Sequence, residues 1–285
     1  MKPFLVHLHL FYKELWSEFK DCILNIKDYP HVLFITLVEH DDKLECDIKN
    51  AFPDARILLV ENVGYDIYPF LKVLSLNDLN DYGYVIKLHS KRNVKNINPF
   101  VWYDGARWRE NLLAFIKSKN SFNKTLSVLE NNPSIGMHGA NVCITNRFTD
   151  EKRAQRETFS FIEDKGFKKC NYDFVAGSMF MARASVLRPL KELNLPADVF
   201  VTPDSSHESC QLAHILERFC GYIVNNQGYK ISDCTLSPLI SGFIFFILCL
   251  RKILMSFIFS VRITNSNKLN VKICKIPVIN KKLKM

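Results

Sequence analysis

A chain of 285 residues, 48% of them hydrophobic, has enough apolar side chain for one large α/β domain with an appendage, which excludes a disordered protein. Its nine cysteines are scattered, odd in number and without a C-x-x-C pair, which argues against a disulfide framework and a zinc ribbon and favours a reducing compartment. The net charge of +9 suggests a nucleic-acid binder, but no acidic residue follows Asp233 and nine of the 38 basic residues lie beyond it, so the first 233 residues hold 29 of each sign and the body is neutral.

The N-terminus alternates polar and apolar from Val6 and meets Glu14 early, which predicts a first strand over residues 3 to 10 rather than a secretory signal. Phe11, Leu15, Phe19, Cys22, Ile23 and Ile26 recur at helical spacing. The runs HVLFITLV (31–38) and ARILLV (55–60) read as buried strands, and Asp66 as the cap of a helix over 67–75 with Pro69 in its first turn. GYVIKLH is a fourth strand. Strand, helix, strand, strand, helix, strand implies a mostly parallel sheet with helices on its faces.

Helices are predicted near 105–118 and 121–131, the second opened by Ser121, and residues 144–172 read as a long polar loop. FVAGSMFMAR (174–183) is expected to be one strand containing a glycine, and a helix is expected from His207 to Phe219. The expected division is a domain over 1–233 and a hydrophobic, basic tail over 234–285. Within the tail, residues 237–261 have apolar runs of 12 and 9 residues split by Arg251 and Lys252, each short of the ~20 that span a bilayer. A helix or helix pair lying in the membrane interface fits them, as does a helix packed on the domain; residues 268–279 suggest a small hairpin.

Ligands of open α/β sheets sit outside the carboxyl ends of the strands, and three stretches fall there. In Asn62-Val63-Gly64-Tyr65-Asp66, Gly64 permits a tight turn while Asn62 and Asp66 offer hydrogen bonds; ordinary turn chemistry is the alternative. Lys87, His89 and Lys91 share one face of a strand end, where convergent cations repel unless an anion or carboxylates separate them. Arg107 and Arg109 open a helix against its dipole, an arrangement that a bound anion or nearby carboxylates would relieve. Glu208, His214 and Glu217 are candidate general bases, with structural pairing of Glu217 to Arg218 the alternative. Glu39 and Asp41 form the one short acidic pair worth considering as a metal site.

The motifs N-x-G-x-D (62–66), K-L-H-S-K (87–91), G-x-x-W-R-x-x-L (105–112), A-G-S-M-F (176–180) and H-x-x-E-R-x-x-G (214–221) come in an order and spacing that resemble the rhamnan synthesis F family, from about residue 55 to 231. The resemblance implies a GT-A-like, Rossmann-type fold and a nucleotide-sugar-dependent glycosyltransferase of bacterial surface polysaccharide synthesis. It also implies transfer of L-rhamnose from dTDP-rhamnose to a lipid-linked glycan with inversion, at the inner face of the cell membrane. Asn62, Gly64 and Asp66 would bind the nucleotide; Lys87, His89, Lys91, Arg107 and Arg109 would surround the diphosphate; Gly177 and Ser178 would line the acceptor side. Tyr65 stands where the family usually has arginine, and Met181 where tryptophan is common. Usual GT-A enzymes hold a metal with D-x-D where this chain has K-L-H-S-K-R, so the expectation is catalysis without a metal or other cofactor. A membrane-docked, non-catalytic subunit of a polysaccharide-assembly complex is the competing expectation.

Overall fold

Six consecutive buried residues, FLVHLH, form the strand β1 (Phe4–His9) in the interior of a seven-stranded sheet. The computed structural model describes residues 1–91, 105–140, 143–145, 151–203 and 211–233, plus three strands beyond residue 258. The chain divides into two units, residues 1–235 and 236–285.

In the first unit, α1 (Trp16–Leu24), β2 (His31–Leu37), α2 (Asp42–Ala51), β3 (Arg56–Leu59), α3 (Ile67–Ser75) and β4 (Tyr84–His89) follow β1. Then come α4 (Gly105–Leu112), α5 (Lys119–Asn131), β5 (Ile135–Gly139), β6 (Ile144–Thr145), α6 (Glu151–Asp164), β7 (Phe174–Val175) and β8 (Phe180–Arg183). The unit closes with α7 (Arg188–Glu192), α8 (Leu212–Asn226) and β9 (Lys230–Asp233).

The large sheet runs β3-β2-β1-β4-β8-β5-β9. Strands β3, β2, β1 and β4 are parallel, as are β5 and β9, while β8 is antiparallel to both its neighbours. This is the mostly parallel α/β sheet expected, with one reversed strand. Because β1 and β4 are covered on both faces, all twelve of their residues are buried, and apolar Leu5, Val6, Leu8, Val85, Ile86 and Leu88 form the middle of the core.

Several local expectations are corrected. The first helix does not begin at Phe11; a 3₁₀ turn over Lys13–Leu15 precedes α1, and its buried face is Trp16, Phe19, Cys22 and Ile23. Between β2 and β3 lies α2, whose short apolar face of Leu44 and Ile48 gave a weak periodic signal. Its cap is Asp41, which accepts from Leu44 N at 3.0 Å. Asp41 and Glu39 both bind Lys13, at 3.1 and 2.8 Å, so this acidic pair is engaged in capping and ion pairing. Ser118, rather than Ser121, caps α5, accepting from Ser121 N at 3.1 Å. The expected loop over 144–172 contains α6, held to the core by Ala154 and Ile162 and by Phe161 edge-on to Phe219 at 5.4 Å.

FVAGSMFMAR is two strands, β7 and β8, broken where Gly177 and Ser178 take φ of 90° and 48°. Helix α8 runs from Leu212 to Asn226, past the expected end at Phe219, with Gln211 extended before it, and residues 207–210 of the expected helix lie outside the described residues.

The second unit contains a three-stranded antiparallel sheet, β10 (Phe259–Ile263), β11 (Lys268–Ile273) and β12 (Ile276–Lys282), where a hairpin was expected. Residues 259–261 thus belong to a strand and not to an interfacial helix, while 237–258 lie outside the described residues. Among the described residues no helix is long and apolar enough to cross a membrane.

Candidate active site

The carboxyl ends of β1 and β4, the turn before α3, the break before β8 and the first turns of α8 enclose a cleft of about 530 Å³. His9, Asn62, Tyr65, Asp66, His89, Lys91, Gly177, Ser178, His214 and Glu217 line it, with Phe11 and Tyr12 at one side. Its position outside the strand ends is where an open α/β sheet binds ligands.

At its floor, Lys87 and Asp66 form an ion pair. Lys87 is fully buried, and its Nζ donates to Asp66 Oδ2, to Ser178 Oγ at 2.8 Å and to Ser178 O at 3.1 Å, which uses all three ammonium protons. Lys87 therefore has no donor left for a diphosphate, and its role shifts from ligand contact to anchor. The Ser178 hydroxyl also donates to Asp66 Oδ2. Burial alone would push the Asp66 carboxyl up, but His89, Lys87 and the bonds from Lys87 and Ser178 outweigh it and hold Asp66 well below the usual carboxylate range. Asp66 is the residue preceding α3, yet its side chain makes no capping bond, because it is committed to this pair.

Gly177 ties two walls together. Its carbonyl accepts from His89 Nε2 at 2.8 Å, and its N–H donates to Glu217 Oε1. A Cβ here would lie 2.8 Å from Leu112 Cδ1 and 2.9 Å from Trp108 Nε1, and φ is 90°, so glycine is required on both counts. Burial pushes the His89 imidazole down to about 4, so it is neutral at pH 7. Burial raises the Glu217 carboxyl, offset in part by the Gly177 N–H.

Lys91 lines the cleft with its Nζ 5.6 Å from the Trp108 ring centre. Arg109 is instead 5% exposed; its Nε and Nη2 each bind Glu18 Oε2 at 2.8 Å, and Nη1 donates to Lys91 O at 2.7 Å. The arginine thus clamps the backbone of Lys91 with a carboxylate on α1, and it lies in the last turn of α4, where a cation suits the helix dipole, so the conflict expected for it does not arise. Arg107 is in α4, but its side chain lies outside the described residues, as does Glu208 altogether. Gly64, with φ of 62°, packs where a Cβ would meet Phe200 Cδ1 at 2.6 Å. It shapes the turn that presents Asn62, Tyr65 and Asp66. Tyr65, also at positive φ, sets its ring 5.3 Å from His214.

His7, His9 and Thr36 escaped the sequence reading. The signal was present: VHLH (6–9) and IKLH (86–89) are similar tetrapeptides, and they pair in parallel register with His7 beside Lys87 and His9 beside His89. In the sequence alone each His reads as an alternating strand residue, without the neighbouring strand that gives it a partner.

The sequence model described as rhamnan synthesis protein F matches residues 2–229. Two curated relatives, both the uncharacterized protein WxcX of Xanthomonas campestris pv. campestris, from strains B100 and ATCC 33913, are 25% identical over 230 residues. The match covers 80% of this chain and 32% of theirs, so the chain spans about one third of the length of these relatives. Among solved structures, residues 1–349 of TarS from S. aureus align with a TM-score of 0.41 at 10% identity, covering 82% of this chain and 58% of that one. Glucosyl-3-phosphoglycerate synthase from Mycobacterium tuberculosis with phosphoglyceric acid aligns with a TM-score of 0.40 at 11% identity, covering 98% and 89%. No residue role is carried over from either structure. The match over residues 2–229 takes in every element that builds the cleft, and the chain belongs to the rhamnan synthesis protein F family.

Proposed function

We propose that the protein is a nucleotide-sugar-dependent glycosyltransferase of bacterial surface polysaccharide synthesis, with L-rhamnose from dTDP-rhamnose as the donor sugar and a lipid-linked glycan as acceptor. Family membership supports the process, and one observation carries the chemistry: Glu217 is a cleft carboxylate made more basic by burial and aimed by the Gly177 N–H. In this reading Glu217 takes the proton of an acceptor hydroxyl as its oxygen attacks the anomeric carbon. The new C–O bond forms as the bond to the diphosphate breaks on the opposite face, and the leaving diphosphate takes the electron pair, so the anomeric centre inverts.

Lys91, the cation that lines the cleft among the described residues, would neutralise charge growing on the leaving group. Asn62 and Tyr65 are assigned to the nucleotide, and Arg107 remains a candidate for the diphosphate. His214 and Glu208 are alternative bases; His214 is the less suited because its ring packs on Tyr65. Metal independence is part of the proposal, since of the two carboxylates lining the cleft the charge of Asp66 is already matched by Lys87 and Glu217 is assigned as the base. The apolar stretch 237–258, interrupted by Arg251 and Lys252, would hold the enzyme at the membrane surface beside a lipid-linked acceptor.

The test incubates the full chain with membrane lipid extract and a panel of labelled sugar nucleotides, with and without EDTA. Label in the lipid fraction in both arms is the expected result. Loss of product in EDTA overturns metal independence. Nucleotide-sugar binding without product supports the non-catalytic subunit instead.

A further inference from the structure

His7 and His9 lie on the same face of β1 and both reach one hydroxyl: His7 Nε2 and His9 Nδ1 are each 3.0 Å from Thr36 Oγ1. A threonine hydroxyl has one proton and two lone pairs; Thr36 is fully buried and these two rings are its hydroxyl's partners among the described residues, so its proton goes to one ring and a lone pair accepts from the other, fixing both tautomers together. If Thr36 donated to His7, that ring would carry its own proton on Nδ1, an atom that is buried and has no partner. A stranded buried N–H is rarer in proteins than an unpaired acceptor, which disfavours this arrangement. In the other arrangement His7 Nε2–H donates to Thr36 and Thr36 donates to His9 Nδ1. The unpaired His7 nitrogen is then a bare lone pair in a ring stacked on Phe70, 5.6 Å between centres.

In this arrangement His9 carries its proton on Nε2. The His9 side-chain hydrogen bond among the described residues runs through Nδ1, which leaves Nε2 for the cleft that His9 lines beside His89. Burial holds His7 well below its ordinary value and His9 down at about 3, so the pair is neutral. Neutrality suits the place: a further cation there would be repelled by Lys87, whereas a neutral N–H can bind an anion's oxygen without that cost.

We propose that His9 Nε2–H is a fixed hydrogen-bond donor to a diphosphate oxygen of the bound nucleotide, and that His7 and Thr36 are positioning residues that hold its tautomer. The proposal rests on the cleft being the nucleotide site. It adds a neutral donor on β1 to the cation assigned above.

Long-range ¹H–¹⁵N spectra of the full chain, assigned with His9→Gln and His7→Gln, report which nitrogen of each ring is protonated; dTDP and UDP are then titrated in. The expected result is His9 protonated on Nε2 in the free protein, with that resonance shifting as either nucleotide saturates. Thr36→Val should convert His9 to a tautomer mixture and weaken binding severalfold. His9→Phe should weaken it about tenfold, and His9→Gln, with an amide donor near the same place, should retain most of it.

His9 protonated on Nδ1 overturns the proposal, as does nucleotide binding that leaves the His9 resonances unmoved; both outcomes leave the cleft assignment standing. Failure of the folded protein to bind either nucleoside diphosphate overturns that assignment and the proposal with it. If a variant fails to fold, through-bond assignment of the wild-type imidazoles from their backbone resonances still decides the tautomer.

Discussion

Lys87 and Ser178, 91 positions apart, are joined twice, Nζ donating to the serine hydroxyl at 2.8 Å and to its carbonyl at 3.1 Å. With Asp66 as the third acceptor, the bonds fasten the reversed strand β8 and the turn before α3 to the central strand β4. A fully buried ammonium group therefore determines the shape of the cleft floor.

Removing that ammonium should be severe. Lys87→Met leaves Asp66 without its counter-ion and is expected to cost about 3–5 kcal/mol, the usual penalty for breaking a buried pair from one side. Urea unfolding measures it, and Lys87→Met combined with Asp66→Asn should recover part of the loss, because the two residues are coupled.

Acid should unfold the protein in two stages. His9 and His89 are held at about 3 and about 4 and His138 at about 4, all by burial, against the ordinary 6.5. Between those values the unfolded chain binds protons that the folded chain refuses, so stability is constant above about pH 6.5 and falls as pH drops towards 4. Asp66 acts below that window: its depressed value gives stability that is present above the ordinary carboxylate pKa and is lost as pH falls through it. Urea midpoints measured from pH 8 to pH 4 check the first stage. His138→Gln should flatten the slope, since the His138 ring donates or accepts only one bond, to Ser232 at 2.9 Å.

Gly177→Ala combines a strained φ with contacts under 3 Å to Leu112 and Trp108 and should cost about 2 kcal/mol or more. It should also raise the KM for the donor, because His89 and Glu217 both hang on the Gly177 peptide. Thermal unfolding and donor titration separate the two effects.

The central strands and α3 were legible because continuous apolar runs and a Pro in a first turn are local signals. Helix α2 was not, since only Leu44 and Ile48 bury its face. The cationic strand end was visible in sequence, but its division of labour was not. Lys87 is consumed by Asp66 and Ser178, and Arg109 by Glu18, partners 21, 91 and 91 residues away, whereas Lys91 is left lining the cleft. Alternation along one strand places residues on a face; the neighbouring strands decide which of them meet a ligand.

Glu217→Gln tests the assignment of the cleft most directly. The amide oxygen can still accept from Gly177 N–H, so the fold and the nucleotide affinity should be preserved while the proton acceptor is lost. With donor and lipid acceptor saturating, the expected result is a fall in transfer rate of about 10²–10⁴-fold with an unchanged dissociation constant for the nucleoside diphosphate. Transfer by Glu217→Gln at the wild-type rate would contradict the role of Glu217 as base and the chemistry proposed for this cleft.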